Sequence, residues 1–348
     1  MKKLLSVLLT GVLLVGLFLT GCSKSLTRYS AQFLNLFDTL TQIIAYMENK
    51  EEFSEYAALI YNEMEEYHQL YDIYHDYPGL NNIRTINENA GIQPVEVDQR
   101  IIDLLLFARQ AYEQTGGKIN IAMGPVLEIW HDYREEGIQN PDSAQLPPMD
   151  LLREAAKHTD IHKIIIDEKS STVFLEDPEM HLDVGGVAKG YAIEQVSQTA
   201  IEQGFTSGLI SGGGNVRIIG SKNIQGEKWN VGIQNPGGDR GQSNLYVVYL
   251  TDMSLVTSGN YERYYTVDGK EYHHIIDPET LYPAEYYEAL TVITPDSAMA
   301  DALSTALYNM PIGEGLALVE NRVDTEALWI FPDGSQQFSS GFEAMLQR

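Results

Sequence analysis

The sequence predicts an α+β protein, built as a single large domain with a mostly antiparallel sheet and flanking helices. Two observations lead to this class. Amphipathic helical patterns occur in both halves of the 348-residue chain. In the second half, several short β patterns also follow one another with no helix between them. Parallel strands need a long crossover connection, so strands in direct succession are expected to pair antiparallel.

The first 21 residues have the pattern of a secretory signal peptide. Two lysines precede an apolar run over residues 4–18, and Cys22 follows a small-residue cleavage context. Cys22 is the only cysteine in the sequence, and its place at the end of the signal favours lipid acylation over a stray buried thiol. We therefore expect removal of residues 1–21, a lipid anchor on Cys22 at the extracytoplasmic face of the cell membrane, and a tether over residues 22–32.

The mature chain is expected to be strongly acidic. Without the two lysines of the signal it has 21 lysines and arginines against 49 acidic residues, a formal charge of −28. This charge argues against nucleic acid as a partner. It also repels phosphate-rich ligands at long range, so an anionic cofactor has to be held by backbone dipoles, a metal or a few local lysines.

The folded domain is expected over residues 33–348, and its first half mixes strands and helices. Residues 33–46 have a strand pattern. Apolar residues at helical spacing predict helices over 51–68 and 101–115, the second closed by two glycines. Prolines and polar residues over 138–150 indicate a surface excursion, and a strand pair follows at 163–167 and 172–175.

The second half alternates short β patterns with three helices. The helical patterns cover residues 187–203, 299–309 and 313–321. The predicted strands cover residues 208–210, 216–219, 229–233, 245–250, 262–267, 290–293 and 327–330.

Two glycine-rich segments are candidates for close contact between backbone and ligand. The first, residues 183–191, reads Asp-Val-Gly-Gly-Val-Ala-Lys-Gly-Tyr and leads into a helix. Backbone amides, the helix N-terminus and Lys189 would together suit a phosphate, although a plain glycine turn has a similar pattern. The second, residues 211–216, has three successive glycines and fits either close approach to a ligand or a bulged hairpin.

Two further segments carry side chains suited to catalysis. His273 and His274 are adjacent and precede an aspartate, and in a strand only one of them can face a given site. Either histidine could act as a general base or bind a metal, or it could have only a structural role. In the second segment, Asp301 and Thr305 lie four residues apart on a predicted helix and share a face. Their oxygens suit Mg²⁺, and a surface pair is the alternative.

Taken in order, these segments resemble the ApbE family of FAD:protein FMN transferases, from about Phe37 to the last helices. The resemblance rests on an ordered set of motifs: Asp-x-Gly-Gly-x-Ala-Lys-Gly, Gly-Gly-Asn-Val, residues 229–236, Thr-Ser-Gly-x-Tyr, His-Ile-Ile-Asp-Pro and Ala-Asp-Ala-x-Ser-Thr. It implies a membrane-anchored enzyme that takes FMN from FAD, esterifies it to a threonine hydroxyl of an acceptor flavoprotein and releases AMP.

The resemblance also implies roles for individual residues. Asp301, which is also expected to be catalytic, and Thr305 correspond to Mg²⁺ ligands, with Ser304 and the Gly186 carbonyl as further oxygens. His274 corresponds to the family's catalytic histidine. Contacts with FAD are implied for Phe37, Tyr74, Lys118, Ile119, Asn120, Asp183, Lys189, and Ile275 or Ile276.

The sequence departs from the family pattern at two positions, and two other functions compete with transfer. Asn120 stands where many members have aspartate, and Leu281 stands where glycine commonly follows Asp-Pro-x-Thr. If water replaced the acceptor, the same site would hydrolyse FAD to FMN and AMP. A non-catalytic lipoprotein, which binds flavin for electron transfer or carries a solute, would need the pocket but neither metal nor base.

Overall fold

The structure, a computed structural model, describes residues 26–223, 225–237, 244–261 and 263–346. The predicted signal peptide and the predicted lipidation site Cys22 lie outside these residues. No helix among the described residues combines the length and the apolar character that a membrane span requires.

An eight-stranded, fully antiparallel sheet forms the centre of the domain. Its strand order is β1-β2-β6-β7-β10-β13-β14-β15, and smaller sheets are formed by β3-β5-β4, β8-β9 and β11-β12. The strands are β1 Thr27–Leu36, β2 Thr39–Met47, β3 Val95–Glu96, β4 Ile164–Asp167, β5 Thr172–Leu175, β6 Gly208–Gly212, β7 Asn215–Ile219, β8 Trp229–Gln234, β9 Asn244–Leu250, β10 Ser254–Gly259, β11 Tyr264–Val267, β12 Lys270–His273, β13 Ala289–Thr294, β14 Glu326–Ile330 and β15 Gln336–Phe338.

The helices flank this sheet, as the fold class predicted. They are α1 Lys50–Tyr71, α2 Ile83–Glu88, α3 Gln99–Gln114, α4 Gly124–Gln139, α5 Met149–Ala155, α6 Ala188–Glu202, α7 Ser297–Tyr308 and α8 Ile312–Glu320. The five helices expected from apolar spacing are all present with ends shifted by a few residues, as is usual for helix boundaries.

Both faces of the main sheet are buried. In β13, Leu290 and Val292 join the core under the helices, whereas Ala289 and Ile293 join a second core that includes residues of β8 and β9. This alternation follows from the two-residue period of a strand. A third apolar cluster, which includes Trp130 on α4, packs α4 and α5 against β11 and β12.

Three local expectations were wrong. The single strand expected over residues 33–46 is a hairpin that reverses at Phe37 and Asp38. Residues 27–32 of the expected tether belong to β1 because they pair with β2. Helix α4 was not expected, and it extends into the predicted surface excursion as far as Gln139. The helix starts with Gly-Pro and has few buried residues, so the sequence shows no clear apolar periodicity there.

Candidate active site

A cavity of about 610 Å³ opens where the ends of several elements meet. Its walls come from the β1–β2 turn, the end of α1, one side of α4, the loop before α6, the β6–β7 turn, β10 and α7. The residues for which the resemblance implies a catalytic, metal-binding or FAD-contacting role line this cavity, with the exception of Ser304. Sequence segments that are more than 200 residues apart therefore contribute to one site.

The loop before α6 brings its backbone to the cavity and anchors itself through Asp183. The Gly185 amide donates to Asp183 Oδ1 at 2.8 Å, and the Asp183 amide donates to the Ile121 carbonyl at 2.8 Å. A Cβ on Gly186 would lie 2.8 Å from Ile119 Cδ1, so a larger residue would have to shift the end of that side chain. Burial raises the pKa of Asp183, although the Gly185 amide and nearby cations oppose this.

Helix α7 presents Asp301 to the start of α6. The Gly190 amide donates to Asp301 Oδ2 at 2.8 Å, while Lys189 Nζ lies 3.6 Å from Asp301 Oδ1. Thr305, one helical turn further, lies near Gly186: a Cβ on that glycine would be 3.8 Å from Thr305 Oγ1. Thus Oδ2 accepts a backbone hydrogen bond, while Oδ1 makes none with the described residues and faces the Lys189 ammonium, in whose place a bound cation could contact it.

Ser304 has a different position from Asp301 and Thr305. Its side chain is fully buried, its Oγ donates to the Asp301 carbonyl at 2.9 Å, and it accepts from Ser258 Oγ at 2.9 Å. The hydroxyl therefore joins α7 to β10 and does not face the cavity.

These oxygens fit a hard divalent cation. Asp301 Oδ1, the Thr305 hydroxyl and the Gly186 carbonyl are one carboxylate and two neutral oxygen donors, a set that suits Mg²⁺. Within the described ranges, no group of three His, Cys, Asp or Glu residues could hold a metal. A cation here would therefore take its remaining ligands from water and from a substrate's phosphate oxygens, as Mg²⁺ commonly does.

The two adjacent histidines have different roles in the structure. His273 is buried, its Nε2 donates to the Ala284 carbonyl at 2.8 Å, and its Nδ1 accepts from the Ile275 amide at 3.2 Å. His274 lines the cavity, and its Nδ1 lies 3.3 Å from the Arg263 carbonyl. Because a carbonyl can only accept, Nδ1 carries the proton and Nε2 keeps a free lone pair.

His274 is held in its neutral form. Burial, followed by the positive charge of Arg263 and then by His273 and Arg134, lowers the pKa of His274 to about 3. A neutral imidazole can accept a proton from a hydroxyl group, which is the chemistry of a general base. A bound phosphate group beside these arginines would reduce their effect and make His274 a stronger base.

The cavity is lined by basic residues that the sequence analysis missed. Arg134 and His131, on the unexpected helix α4, line the cavity, and Arg134 Nη2 lies 2.9 Å from His131 Nδ1. Arg263 lines it from the loop before β11. The spacing of His131 and Arg134, three apart on one helix, becomes informative only once the helix itself is recognised. Arg134 and Arg263 join Lys118 and Lys189 around the cavity, where they face the carboxylates of Asp38, Asp72, Asp183 and Asp301.

Phe37 reaches the cavity from a strained turn. Phe37 and Asp38 both have positive φ, 52° and 51°. A two-residue hairpin turn of type I′ requires such angles, but residues other than Gly, Asn and Asp rarely adopt them. The Phe37 amide donates to His68 Nδ1 at 3.3 Å, and the two rings meet edge-on at 5.4 Å. Tyr74, half exposed on the opposite wall, lies 5.8 Å from the His131 ring.

Lys118 and Asn120 are fixed by different partners. Lys118 Nζ lies 3.2 Å from the buried Asp277 and 3.1 Å from the exposed Glu279. Burial opposes its charge, but these carboxylates more than offset burial and raise the pKa of Lys118. Asn120 Oδ1 accepts from the Ala122 amide and its Nδ2 donates to the Thr159 carbonyl, both at 2.9 Å. An aspartate could not make the second bond, which explains asparagine here.

The segment after His274 places both isoleucines and Leu281 beside the site. Ile275 and Ile276 are both buried and both line the cavity. Leu281 has a φ of 61°, a conformation that favours glycine, yet its side chain is buried and its carbonyl accepts from Trp130 Nε1 at 2.9 Å. Leu281 therefore packs its loop against α4 at the cost of a strained backbone.

Comparisons with known proteins show which family the chain belongs to. The sequence model of the ApbE family matches residues 37–329. An FAD:protein FMN transferase from Treponema pallidum is 35% identical over 272 residues, which cover 74% of this chain and 73% of that protein. Another from Klebsiella pneumoniae is 33% identical over 249 residues, which cover 71% of this chain and 74% of that protein.

Solved structures show the same fold. The crystal structure of the ApbE protein from Thermotoga maritima matches with a TM-score of 0.80 at 28% identity, and the match covers 92% of this chain and all of that one. The flavin transferase ApbE from Vibrio cholerae matches with a TM-score of 0.75 at 22% identity and the same coverage.

Proposed function

The chain belongs to the ApbE family, and from this premise we propose that it is an FAD:protein FMN transferase that needs Mg²⁺ and modifies a threonine of an acceptor flavoprotein. The observation that carries the proposal is the meeting of two functional groups in one cavity. The oxygens around Asp301 suit Mg²⁺, and His274 offers a free Nε2.

The proposed reaction uses these positions in the following way. The threonine hydroxyl attacks the phosphorus on the FMN side of the FAD pyrophosphate and its proton passes to His274 Nε2. A new P–O ester bond forms as the anhydride P–O bond breaks, and AMP leaves. Proton transfer to a positioned base typically contributes ~10² to 10⁴ in rate. Lys189 and the arginines balance the charge of the phosphates in a protein whose formal charge is −26 before processing.

The metal would be held by Asp301, Thr305 and the Gly186 carbonyl. When bound, Mg²⁺ supplies charge neutralisation at the pyrophosphate oxygens, which is worth several kcal/mol of transition-state stabilisation. Ser304 orients the Asp301 segment through its bond to the Asp301 carbonyl.

Intact-mass spectrometry tests transfer directly. The chain lacking residues 1–22 is mixed with FAD, Mg²⁺ and an acceptor domain that contains the target threonine. We expect an acceptor heavier by one FMN, with release of AMP. Asp301→Asn keeps an oxygen for the Gly190 amide but removes the charge, so transfer should be lost. The matched control is Asp333→Asn, which changes an exposed turn carboxylate next to β15 and should transfer normally.

Other outcomes of this experiment point to the competing functions. Free FMN and AMP with an unmodified acceptor would indicate a pyrophosphatase. Intact FAD under all conditions, with FAD bound to the protein, would indicate a non-catalytic flavin-binding protein.

We also propose that Cys22 carries a lipid that anchors the mature chain to the extracytoplasmic face of the cell membrane. The sequence pattern around Cys22 supports this proposal. In fractionated cells, the Cys22→Ser variant should move from the membrane to the soluble fraction or keep its signal peptide. A variant that remains processed and membrane-bound would contradict lipid anchoring.

A further inference from the structure

A buried ion pair lies behind the wall of the cavity, between α6 and the main sheet. Glu194 on α6 and Arg217 on β7 are 5% and 6% exposed, and Arg217 Nε lies 3.0 Å from Glu194 Oε2. Nε is not aligned for a hydrogen bond; Arg217 Nη2 instead donates to Glu194 Oε1 at 3.5 Å, and Nη1 donates to the Ile218 carbonyl at 2.7 Å. Gln198 donates to Glu194 Oε1 at 2.7 Å. The Glu194 carboxylate is thus held from two sides.

The same carboxylate receives the first amide of α7. Ser297 N donates to Glu194 Oε2 at 2.8 Å, and Ser297 is the first residue of the helix that carries Asp301. The first amides of a helix have no partner within the helix, and a carboxylate there is also favoured by the helix dipole. Asp296 already accepts from the Met299 amide, so Glu194 supplies a second cap from a different helix.

Two hydrogen bonds therefore connect α6 and α7, one helical turn apart on each helix. In the first bond, Glu194 of α6 accepts from Ser297 of α7. In the second, Gly190, four residues before Glu194, donates to Asp301, four residues after Ser297. The helices are in contact between these bonds, because a Cβ on Gly190 would lie 2.5 Å from the Ser297 carbonyl. A rotation or slide of α7 that broke one bond would strain the other.

We propose that Glu194, held by Arg217, is a positioning residue for the cation site: it fixes the start of α7 on α6 and thereby fixes the direction of Asp301 Oδ1. This inference rests on the proposed Mg²⁺ dependence. A purely stabilising role would not need these charges, since well-packed apolar side chains often replace a buried ion pair with no loss of stability. Outer contacts of this kind typically change metal affinity by ~10- to 100-fold when removed.

Ser297→Pro removes the donor at the start of α7. Because the ring carbon Cδ takes the place of the hydrogen that points at Glu194 Oε2, this variant also displaces the carboxylate. Proline is favoured at the first position of a helix, and the preceding Asp296 has φ −99° and ψ 124°, which a following proline tolerates. The Ser297 hydroxyl is buried and makes no hydrogen bond within the described chain, so its loss costs little. A second variant, Glu194→Leu with Arg217→Met, removes both charges together.

The experiment uses the full chain in detergent micelles and measures Mg²⁺ affinity in the presence of FAD by isothermal titration calorimetry, beside the Mg²⁺ dependence of FMN transfer. We expect both variants to bind Mg²⁺ about 10-fold or more weakly, in the range typical of outer contacts. The rate at saturating Mg²⁺ should be largely recovered. Leu328→Ala, in the core on the other face of the sheet, is the control: its Tm should fall while its Mg²⁺ affinity stays that of wild type.

Two results would overturn the inference. The first is that Ser297→Pro and the double variant both bind Mg²⁺ as tightly as wild type. The second is that Leu328→Ala weakens Mg²⁺ binding as much as those two variants do. If the double variant does not fold, Ser297→Pro decides alone. Failure of the proposed function is distinguishable, since wild type itself would then show neither Mg²⁺ binding with FAD nor transfer.

Discussion

The Gly190 amide donates a 2.8 Å hydrogen bond to Asp301 Oδ2, and a Cβ on Gly190 would lie 2.3 Å from Asp301 Cβ. Glycine is therefore required where α6 meets the candidate cation ligand. We expect Gly190→Ala to push the helices apart, cost about 1–3 kcal/mol of stability and reduce FMN transfer by about 10²-fold. Urea unfolding and the transfer rate measure the two effects.

Gly313→Ala is the control for this substitution. Gly313 lies in α8, and no atom lies within 4 Å of the position of a Cβ there. Because Gly313 is in the first turn, the variant should gain no more than the about 0.5–1 kcal/mol typical of a helix interior, and it should transfer FMN at the wild-type rate. A fully active Gly190→Ala would show that close contact at Asp301 is not needed for activity.

Lys118 is expected to stabilise the fold chiefly through Asp277. Asp277 is 2% exposed, so Lys118→Met leaves a buried carboxylate without its cation. This should cost about 3 kcal/mol of unfolding free energy. Lys118→Met combined with Asp277→Asn removes both charges and should recover part of that loss. Urea denaturation checks the order, and equal stability of the single and double variants would contradict the pairing.

His274 should make the protein less stable as the pH falls. Its pKa is about 3 in the folded state against 6.5 for the ordinary side chain. Between these values the unfolded chain binds a proton that the folded chain does not, so the free energy of unfolding decreases as the pH drops below about 6.5. His273, whose pKa burial also lowers, contributes in the same direction.

The fall in Tm between about pH 7.5 and pH 5 measures this effect. His274→Gln should show a smaller fall than wild type, because the titrating group is gone. His162→Gln changes an exposed histidine and should behave as wild type. An unchanged pH dependence in His274→Gln would mean that this imidazole is protonated as readily in the folded protein as in the unfolded chain.

Leu281 balances backbone strain against burial. Leu281→Gly would relieve a left-handed conformation that costs about 1–2 kcal/mol for a residue with a Cβ. It would also lose the packing of a leucine that is 8% exposed, worth about 2–5 kcal/mol when such a side chain is truncated. We expect a net destabilisation of about 1–3 kcal/mol in urea unfolding.

Asp268→Gly relieves a similar φ of 52° at an exposed turn, where no packing is lost, and should be neutral or stabilising. If Leu281→Gly were more stable than wild type, strain would outweigh packing at this loop.

The sequence predicts the elements whose pattern is local and repeated. The helix over residues 51–68 has an apolar face along its whole length, and it corresponds to α1. The reversal at Phe37 and Asp38 was missed because it uses none of the Asn-Gly or Gly-Gly pairs that mark such turns. This hairpin is stabilised by its pairing with the rest of the sheet, and a local sequence pattern carries no information about that pairing.

The site was predictable to the extent that its motifs are contiguous. Asp301 and Thr305 share a helix face, so their joint approach to the cavity follows from spacing. By contrast, the choice between His273 and His274 depends on Ala284 and Arg263, which accept from their ring nitrogens. The support of Asp301 by Glu194 and Arg217 depends on how α6, α7 and β7 pack, which no single segment of sequence specifies.

The early start of β1 would limit how far the proposed lipid anchor lets the enzyme reach from a membrane. With Cys22 acylated as proposed, only residues 23–26 separate the lipid from Thr27, and covalent geometry allows this segment about 18 Å at full extension. The ten residues of β1 add about 33 Å before the turn that borders the cavity. With that anchor, the site would reach no further than about 50 Å from the bilayer, which would favour acceptors that are tethered to the same membrane.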